Sequence, residues 1–368
     1  MTSPHPSSSQ PECPPGSRYS LLPGVRSRIV QTSRLAQHVY ESGPADGEPL
    51  LLVHGNASSA RFFEELMAAL AGRYAIFAPD MRGYGASEAK VVDATRGLRD
   101  YADDIHALVE ALGIARFHLL GWSLGGNIAM QYVLDHPERV RSLTLHATGS
   151  PYGYGGTKGP DGTPNYEDFA GSGGGLISPE VTARYQAHDT TADSPFSPRS
   201  ALRNIIVKPT FHFAPAREDV LVEQMLLMKI GEHYYPGDSV PSPNWPFAGP
   251  GRYGSNNALS PKYPNQAALG NLRGGPAILW IRGADDQLVA DVAAVDPAAL
   301  GKRGIIPGWP GDMVCPPQPM VTQIRTMLER YATNGGLYTE VVLPDCGHAP
   351  LLEQPDEFSR HFTRFLDA

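Results

Sequence analysis

The chain has only three cysteines in 368 residues, Cys13, Cys315 and Cys346. The number is odd and the spacing is not that of metal ligands, so neither a disulfide framework nor a zinc site is expected, and a reducing compartment fits best. No Lys/Arg-rich run is present, and the formal net charge is -8 with a pI near 5.8, which leaves a nucleic-acid partner without electrostatic support. No apolar run is long enough to span a bilayer. The polar, proline-rich N-terminus lacks the apolar stretch of a signal peptide, so a cytoplasmic location is the default expectation.

What is present is an ordinary globular balance, with 41% hydrophobic and 18% charged residues, which rules out disorder throughout and supports a sizeable core. The length permits one large domain or a core carrying an insertion. Glycine (39) and proline (35) are abundant enough to predict long irregular loops. Residues 1 to about 25 read as a solvated tail.

After the tail, short β-type runs occur at Ser27–Gln31 and Gln37–Glu41. The run Leu50-Leu51-Leu52-Val53 has no polar alternation, which predicts a central strand buried on both faces, ending in His54-Gly55. Helical spacing follows at Arg61–Leu70, then a strand at Ala75–Ala78, then the turn Pro79-Asp80-Met81-Arg82-Gly83-Tyr84-Gly85. A helix is predicted over Asp100–Leu112 from Ile105, Leu108, Val109 and Leu112. The strand Phe117–Leu120 runs into Gly121-Trp122-Ser123-Leu124-Gly125-Gly126, followed by a helix through Tyr132 and a strand at Ser142–His146. Strand and helix alternate as in a parallel sheet covered by helices on both faces.

The alternation stops near Gly149 and resumes at Ala277–Ile281, a gap of roughly 125 residues that is too long for a structureless loop. Residues 150–276 are therefore assigned to an inserted cap, with a helix at Glu218–Ile230, and residues 26–149 and 277–368 to the core. Residues 290–318 form a second, smaller Pro/Gly-rich insertion. A helix (Val321–Tyr331), a strand (Tyr338–Leu343) and a helix (Asp356–Phe365) close the chain.

Gly121-Trp122-Ser123-Leu124-Gly125 fits Gly-x-Ser-x-Gly, in which a serine sits on a sharp strand-to-helix turn as a nucleophile. Such a serine needs a base. His348, in Pro344-Asp345-Cys346-Gly347-His348-Ala349-Pro350, follows the strand ending at Leu343, at the sheet edge where catalytic groups gather. The base needs an orienting carboxylate, and Asp286, past the strand Ala277–Ile281, is the choice; Asp285 is the adjacent rival and Asp312 a remote one. No carboxylate closely follows Ser142–His146. Two backbone N–H groups must meet the developing oxyanion: that of Leu124, and that of Asn56 in His54-Gly55-Asn56-Ala57, with Ala57 the alternative. His54 itself is read as bracing the loop.

With these pieces in place, the chain resembles the α/β-hydrolase superfamily. The resemblance rests on His54-Gly55-Asn56, Asp80 to Gly85, Gly121 to Gly126, Gly283-Ala284-Asp285-Asp286 and Gly347 to Pro355, and spans about residues 25–149 and 277–368. It implies a mostly parallel eight-stranded sheet, a cap inserted after the sixth strand and no cofactor. Asp80, Arg82, Glu353 and Pro355 match positions that serve loop architecture. His54-Gly55-Asn56 is also similar to haloalkane dehalogenases, but those enzymes, like epoxide hydrolases, need aspartate where this chain has Ser123.

The reading that follows is a serine hydrolase of a small-molecule substrate, an apolar ester or lactone with a bulky acyl or alcohol group favoured, acting through an acyl-enzyme. Carbon–carbon bond hydrolysis of a diketone-like substrate is the alternative, and a non-catalytic ligand receptor is the alternative of another class. The core is expected to supply the chemistry and the aromatic-rich cap to choose the substrate, with Trp122, Phe211, Phe213 and Trp245 as candidate substrate contacts.

Overall fold

The computed structural model describes residues 13–263 and 266–368. Its centre is an eight-stranded sheet made of β1 (Val25–Gln31), β2 (Ala36–Ser42), β3 (Glu48–Val53), β4 (Tyr74–Pro79), β5 (Phe117–Trp122), β6 (Val140–His146), β7 (Ala277–Gly283) and β8 (Tyr338–Leu343). The spatial order is β1-β2-β4-β3-β5-β6-β7-β8. β2 runs antiparallel to β1 and β4, and every other pairing is parallel. Leu50 to Val53 are fully enclosed between β4 and β5, as expected for an apolar run with no solvent face.

The helices that follow the strands are amphipathic where they meet solvent. In α2 (Arg99–Ala111) the buried stripe is Tyr101, Ile105, Leu108 and Val109. In the last helix of the chain, Pro355–Leu366, Phe358, Phe362 and Leu366 recur every fourth residue and pack inward, while Pro355 occupies the first turn, where its missing N–H costs nothing. The helix Leu124–Asp135, which we label α3, is buried along most of its length because it packs between the strands β3, β5 and β6 and the helix α2.

The segment between β6 and β7 has short helices, Pro179–Gln186 and Pro215–Leu226 among them, and three two-stranded ribbons. The helix expected at Glu218–Ile230 lies further toward the N-terminus, because Pro215 starts it and the chain turns at Leu227 toward a pairing at Ile230. This insertion has no separate principal core. Tyr185, Leu202, Leu221, Met225 and Tyr235 join the same apolar cluster as the sheet. A small satellite core, formed by Trp245, Ala298 and Cys315 with Tyr166, Ile306 and Trp309, binds the insertion to the second one at 290–318.

The expected tail needs a correction. Residues 1–12 lie outside the described residues, but residues 13–24 are docked. The guanidinium of Arg61, itself 1% exposed, donates to Ser17 Oγ (2.7 Å), Tyr19 O (3.0 Å) and Ser20 O (2.5 Å), and Leu22 N–H donates to Glu64 (2.6 Å). A buried cation needs acceptors, and this stretch of backbone supplies them. Composition alone read the segment as polar and missed that its carbonyls are used.

Candidate active site

Ser123 follows β5 and caps α3 with φ 56° and ψ −121°, a conformation that L-residues rarely hold without surrounding constraint. The constraint is close packing. A Cβ on Gly121 would lie 2.2 Å from Gly125 O, and one on Gly125 would lie 2.1 Å from Val53 O, so only glycine fits at either place. Ser123 N–H donates to His146 O (3.0 Å), fixing the turn to β6. The Ser123 side chain stays partly accessible, whereas its neighbours Trp122 and Leu124 are buried. Leu124 N–H begins α3, where no carbonyl within the helix can reach it.

His348 stands on the loop after β8, buried at 2% exposure. Its Nδ1 is 2.7 Å from Asp286 Oδ2, and the other carboxylate oxygen of Asp286 accepts from Leu288 N–H (2.8 Å) and Val289 N–H (2.9 Å). Asp286 is thus held by its own loop and directed at the imidazole. Asp285 points elsewhere and pairs with Lys208 Nζ at 2.6 Å, while Asp312 pairs with Lys302 at an exposed site. The histidine loop is clamped by Glu353, whose carboxylate accepts from Gly347 N–H (2.9 Å), Ala349 N–H (3.1 Å) and Lys208 N–H (2.9 Å). Trp122 Nε1–H donates to His348 O at 2.9 Å, which ties this loop to the residue preceding Ser123.

The loop after β3 completes the site. A Cβ on Gly55 would come 3.0 Å from the Cβ of Ser123, so this loop lies against the elbow. His54 is fully buried. Its Nδ1 reaches Gly55 O (2.8 Å), its Nε2 accepts from Met81 N–H (3.1 Å), and burial lowers its pKa. Both ring nitrogens are used, so His54 braces the loop. Asp80 accepts from Ala60 N–H and lies 2.8 Å from His38 Nδ1. Arg82 is paired with Asp104 at 2.6 Å, and it and Asp80 both have architectural contacts.

The Asn56 side chain is held from two directions. Tyr84 OH donates to its Oδ1, and its Nδ2 donates to Asn256 Oδ1 at 2.8 Å. Asn256 belongs to the short helix Ser255–Ala258 of the insertion. Neither Tyr84 nor Asn256 was singled out from sequence. Tyr84 stood in a recognised turn, but nothing local marks its partner, and Asn256 is 200 residues from Asn56. Tyr154 also belongs to the insertion and carries no sequence motif. Its hydroxyl is buried and, among the described residues, without a hydrogen-bond partner, and the nearby charges of Asp296 and Asp286 add to burial in raising its pKa.

The candidate substrate contacts fall elsewhere than expected. Trp122 is 1% exposed, wedged against Phe62, His146 and His348, with its N–H spent on His348 O, so it is a beam between two loops. Trp245 sits in the satellite core and donates to Pro307 O at 2.9 Å. Phe211 and Phe213 meet edge-to-face at 4.9 Å and line a cavity of about 420 Å³ with Arg199, Arg203 and Glu218; Ser123, Asp286 and His348 do not line it. The surfaces of these four aromatics are used for packing and for an outer cleft.

Residues 48–162 match the family model described as alpha/beta hydrolase fold. Among curated relatives, an uncharacterized carboxylesterase of Bacillus subtilis is 34% identical over 34% of this chain and 42% of its own length. A 2-hydroxy-6-oxo-6-phenylhexa-2,4-dienoate hydrolase of Burkholderia cepacia is 32% identical over 30% of this chain and 40% of its own length. The chain thus spans about two fifths of the length of these curated relatives. The solved carboxylesterase CesB from Bacillus subtilis superposes with a TM-score of 0.59 at 16% identity, covering 93% of this chain and 91% of that one. The matched segment contains the strained elbow, and the superposition extends the likeness to the full sheet. With its one reversed strand, its elbow after the fifth strand and its long insertion after the sixth, the chain has the alpha/beta hydrolase fold.

Proposed function

We propose that the chain is a serine hydrolase that cleaves a carboxylic ester or lactone through an acyl-enzyme, with Ser123 as nucleophile, His348 as base and Asp286 as the orienting acid. The observation that carries this reading is the buried Asp286–His348 hydrogen bond on a loop fastened to Trp122, beside a partly accessible serine at positive φ. Nδ1 faces Asp286, so Nε2 is the nitrogen left for the serine. Ser123 Oγ attacks the carbonyl carbon and its proton passes to His348 Nε2. Asp286 stabilises the imidazolium, and the N–H groups of Asn56 and Leu124 receive the oxyanion. Collapse of the tetrahedral adduct breaks the carbon–oxygen bond as His348 protonates the leaving alcohol. Water, deprotonated by His348, then repeats the addition at the acyl carbon and releases the acid and Ser123.

Ser123→Ala and His348→Ala should each abolish turnover of aryl acetates with the fold intact, and the double variant should be little worse than either single one. A fluorophosphonate probe should label Ser123. Full activity in folded Ser123→Ala would falsify the proposal. Carbon–carbon bond hydrolysis is kept as a second reading because of the similarity to the Burkholderia cepacia hydrolase. The Tyr154 hydroxyl, without a hydrogen-bond partner among the described residues, is a polar group near Asp286 that such a substrate could use. Faster turnover of a vinylogous diketone than of any ester or lactone would favour it.

A further inference from the structure

We infer that Asn256 and Tyr84 are positioning residues for the oxyanion-binding loop, holding the Asn56 side chain so that its backbone N–H is aimed at the oxyanion; this inference rests on the Ser123 reading above. Three observations support it. Gly55 lies against Ser123, so the next peptide, which carries Asn56 N–H, borders the reacting centre. The Asn56 amide is held at both ends: Oδ1 accepts from Tyr84 OH and from Ala57 N–H (3.2 Å), and Nδ2 donates to Asn256 Oδ1 (2.8 Å). Ala57 has φ 49°, so the peptide after Asn56 is held in the left-handed region and would be free to relax if the amide were released.

The two struts come from different parts of the molecule. Tyr84 is on the core turn after β4 and is 2% exposed. Burial raises its pKa far above neutrality, so it remains a donor throughout the working range. Asn256 is on the insertion, and its amide is the acceptor that fixes the orientation of Asn56. A preorganised donor contributes to the rate only if it need not reorganise as charge develops. Loss of a strut should therefore affect the transition state and leave ground-state binding nearly unchanged.

The experiment compares Asn256→Ala, Asn256→Asp and Tyr84→Phe in the full chain, using p-nitrophenyl acetate as substrate and phenylethaneboronic acid as a tetrahedral mimic. In Asn256→Ala and Tyr84→Phe, kcat should fall by about ten- to a hundredfold, less than deletion of an oxyanion donor costs, with KM changed by less than about threefold. Boronic acid affinity should fall in parallel with kcat. Asn256→Asp keeps an acceptor for Asn56 Nδ2 and should recover most of the loss. Asn256 is only partly buried, so its variants keep the fold even if Tyr84→Phe does not. A kcat within twofold of the parent in Asn256→Ala, a loss confined to KM, or no recovery in Asn256→Asp overturns the inference. Persistent turnover in Ser123→Ala sinks the underlying reading instead, so the two failures are distinguishable.

Discussion

Glu353→Gln tests how the histidine loop is held. One carboxylate accepts three backbone N–H groups, from Gly347 and Ala349 on either side of His348 and from Lys208 of the insertion. Oε2 takes two of these bonds and Oε1 the third, so glutamine can keep at best the pair made by a single oxygen. Its NH2 group then faces Ala349 N–H, donor against donor. A hydrogen bond to an ionised acceptor contributes about 1.5–3 kcal/mol, and Glu353 is partly exposed, which lowers that figure through solvent screening.

The variant should therefore lose about 1–3 kcal/mol of stability, read as a lower midpoint in urea with an unchanged slope. His348 should also drift from its place, and a displacement of about 1 Å at a reacting group can cost about a hundredfold in rate. The assay pairs the urea curve with kcat on an aryl ester, using Glu353→Ala as the full-loss reference. If Glu353→Gln matches the parent in both midpoint and kcat, the clamp is ornamental and the account of the loop is wrong.

The remaining expectations are shorter. Asp286→Asn should cut kcat by orders of magnitude, whereas Asp285→Asn, which loses only a pairing with Lys208, should stay near the parent; the reverse ranking would reassign the acid. Deleting residues 1–24 should lower Tm by several degrees, because Arg61 loses three acceptors and the core loses the buried Leu21 side chain, and an unchanged melt would show the docking to be idle. Burial holds the His146 pKa well below the ordinary 6.5, so unfolding takes up a proton as pH falls under that value. Stability should therefore be lost on acidification below about 6.5. Neither nitrogen of His146 has a partner among the described residues and its ring packs on Trp122 and Phe358, so His146→Phe should fold and flatten that part of the pH profile.

The parts legible in the sequence are those with a local signature. Leu50 to Val53 is apolar without alternation and is the enclosed third strand; Gly121 to Gly125 carries the elbow because two glycines must let backbone approach backbone. Asp286 and His348 follow strands β7 and β8, so position along the chain was enough to single them out. The parts that were not legible depend on partners far apart in the chain. Trp122 and Trp245 look like pocket walls until the carbonyls that accept their N–H groups are known, His348 O and Pro307 O. Residues 13–24 look solvated until Arg61 is seen to need them. Asn256 has no periodicity or motif to distinguish it from its neighbour Asn257, which is spent on Asp238 and Tyr253.

These long-range contacts change how the insertion should be understood. From sequence, the core holds the chemistry and the insertion chooses the substrate. In the structure the insertion touches the loops after β3, β7 and β8. Its π turn at Leu202–Ile206 leaves Ile206 O to accept from His348 N–H at 3.1 Å. Two residues later, Lys208 N–H donates to the Glu353 clamp, and Lys208 Nζ bridges Asp285, beside Asp286, and Asp345, ahead of His348. Asn256 holds the loop after β3 from the other side. The apolar side chains of the insertion are continuous with the sheet's core, so these contacts are made from a packed body and not from a loose lid. Substitutions in the insertion should thus divide by contact. Those at Phe211 or Phe213, in the outer cleft, should act on stability, whereas those near Ile206 and Asn256 should act on kcat, because they would shift the groups proposed to meet the transition state.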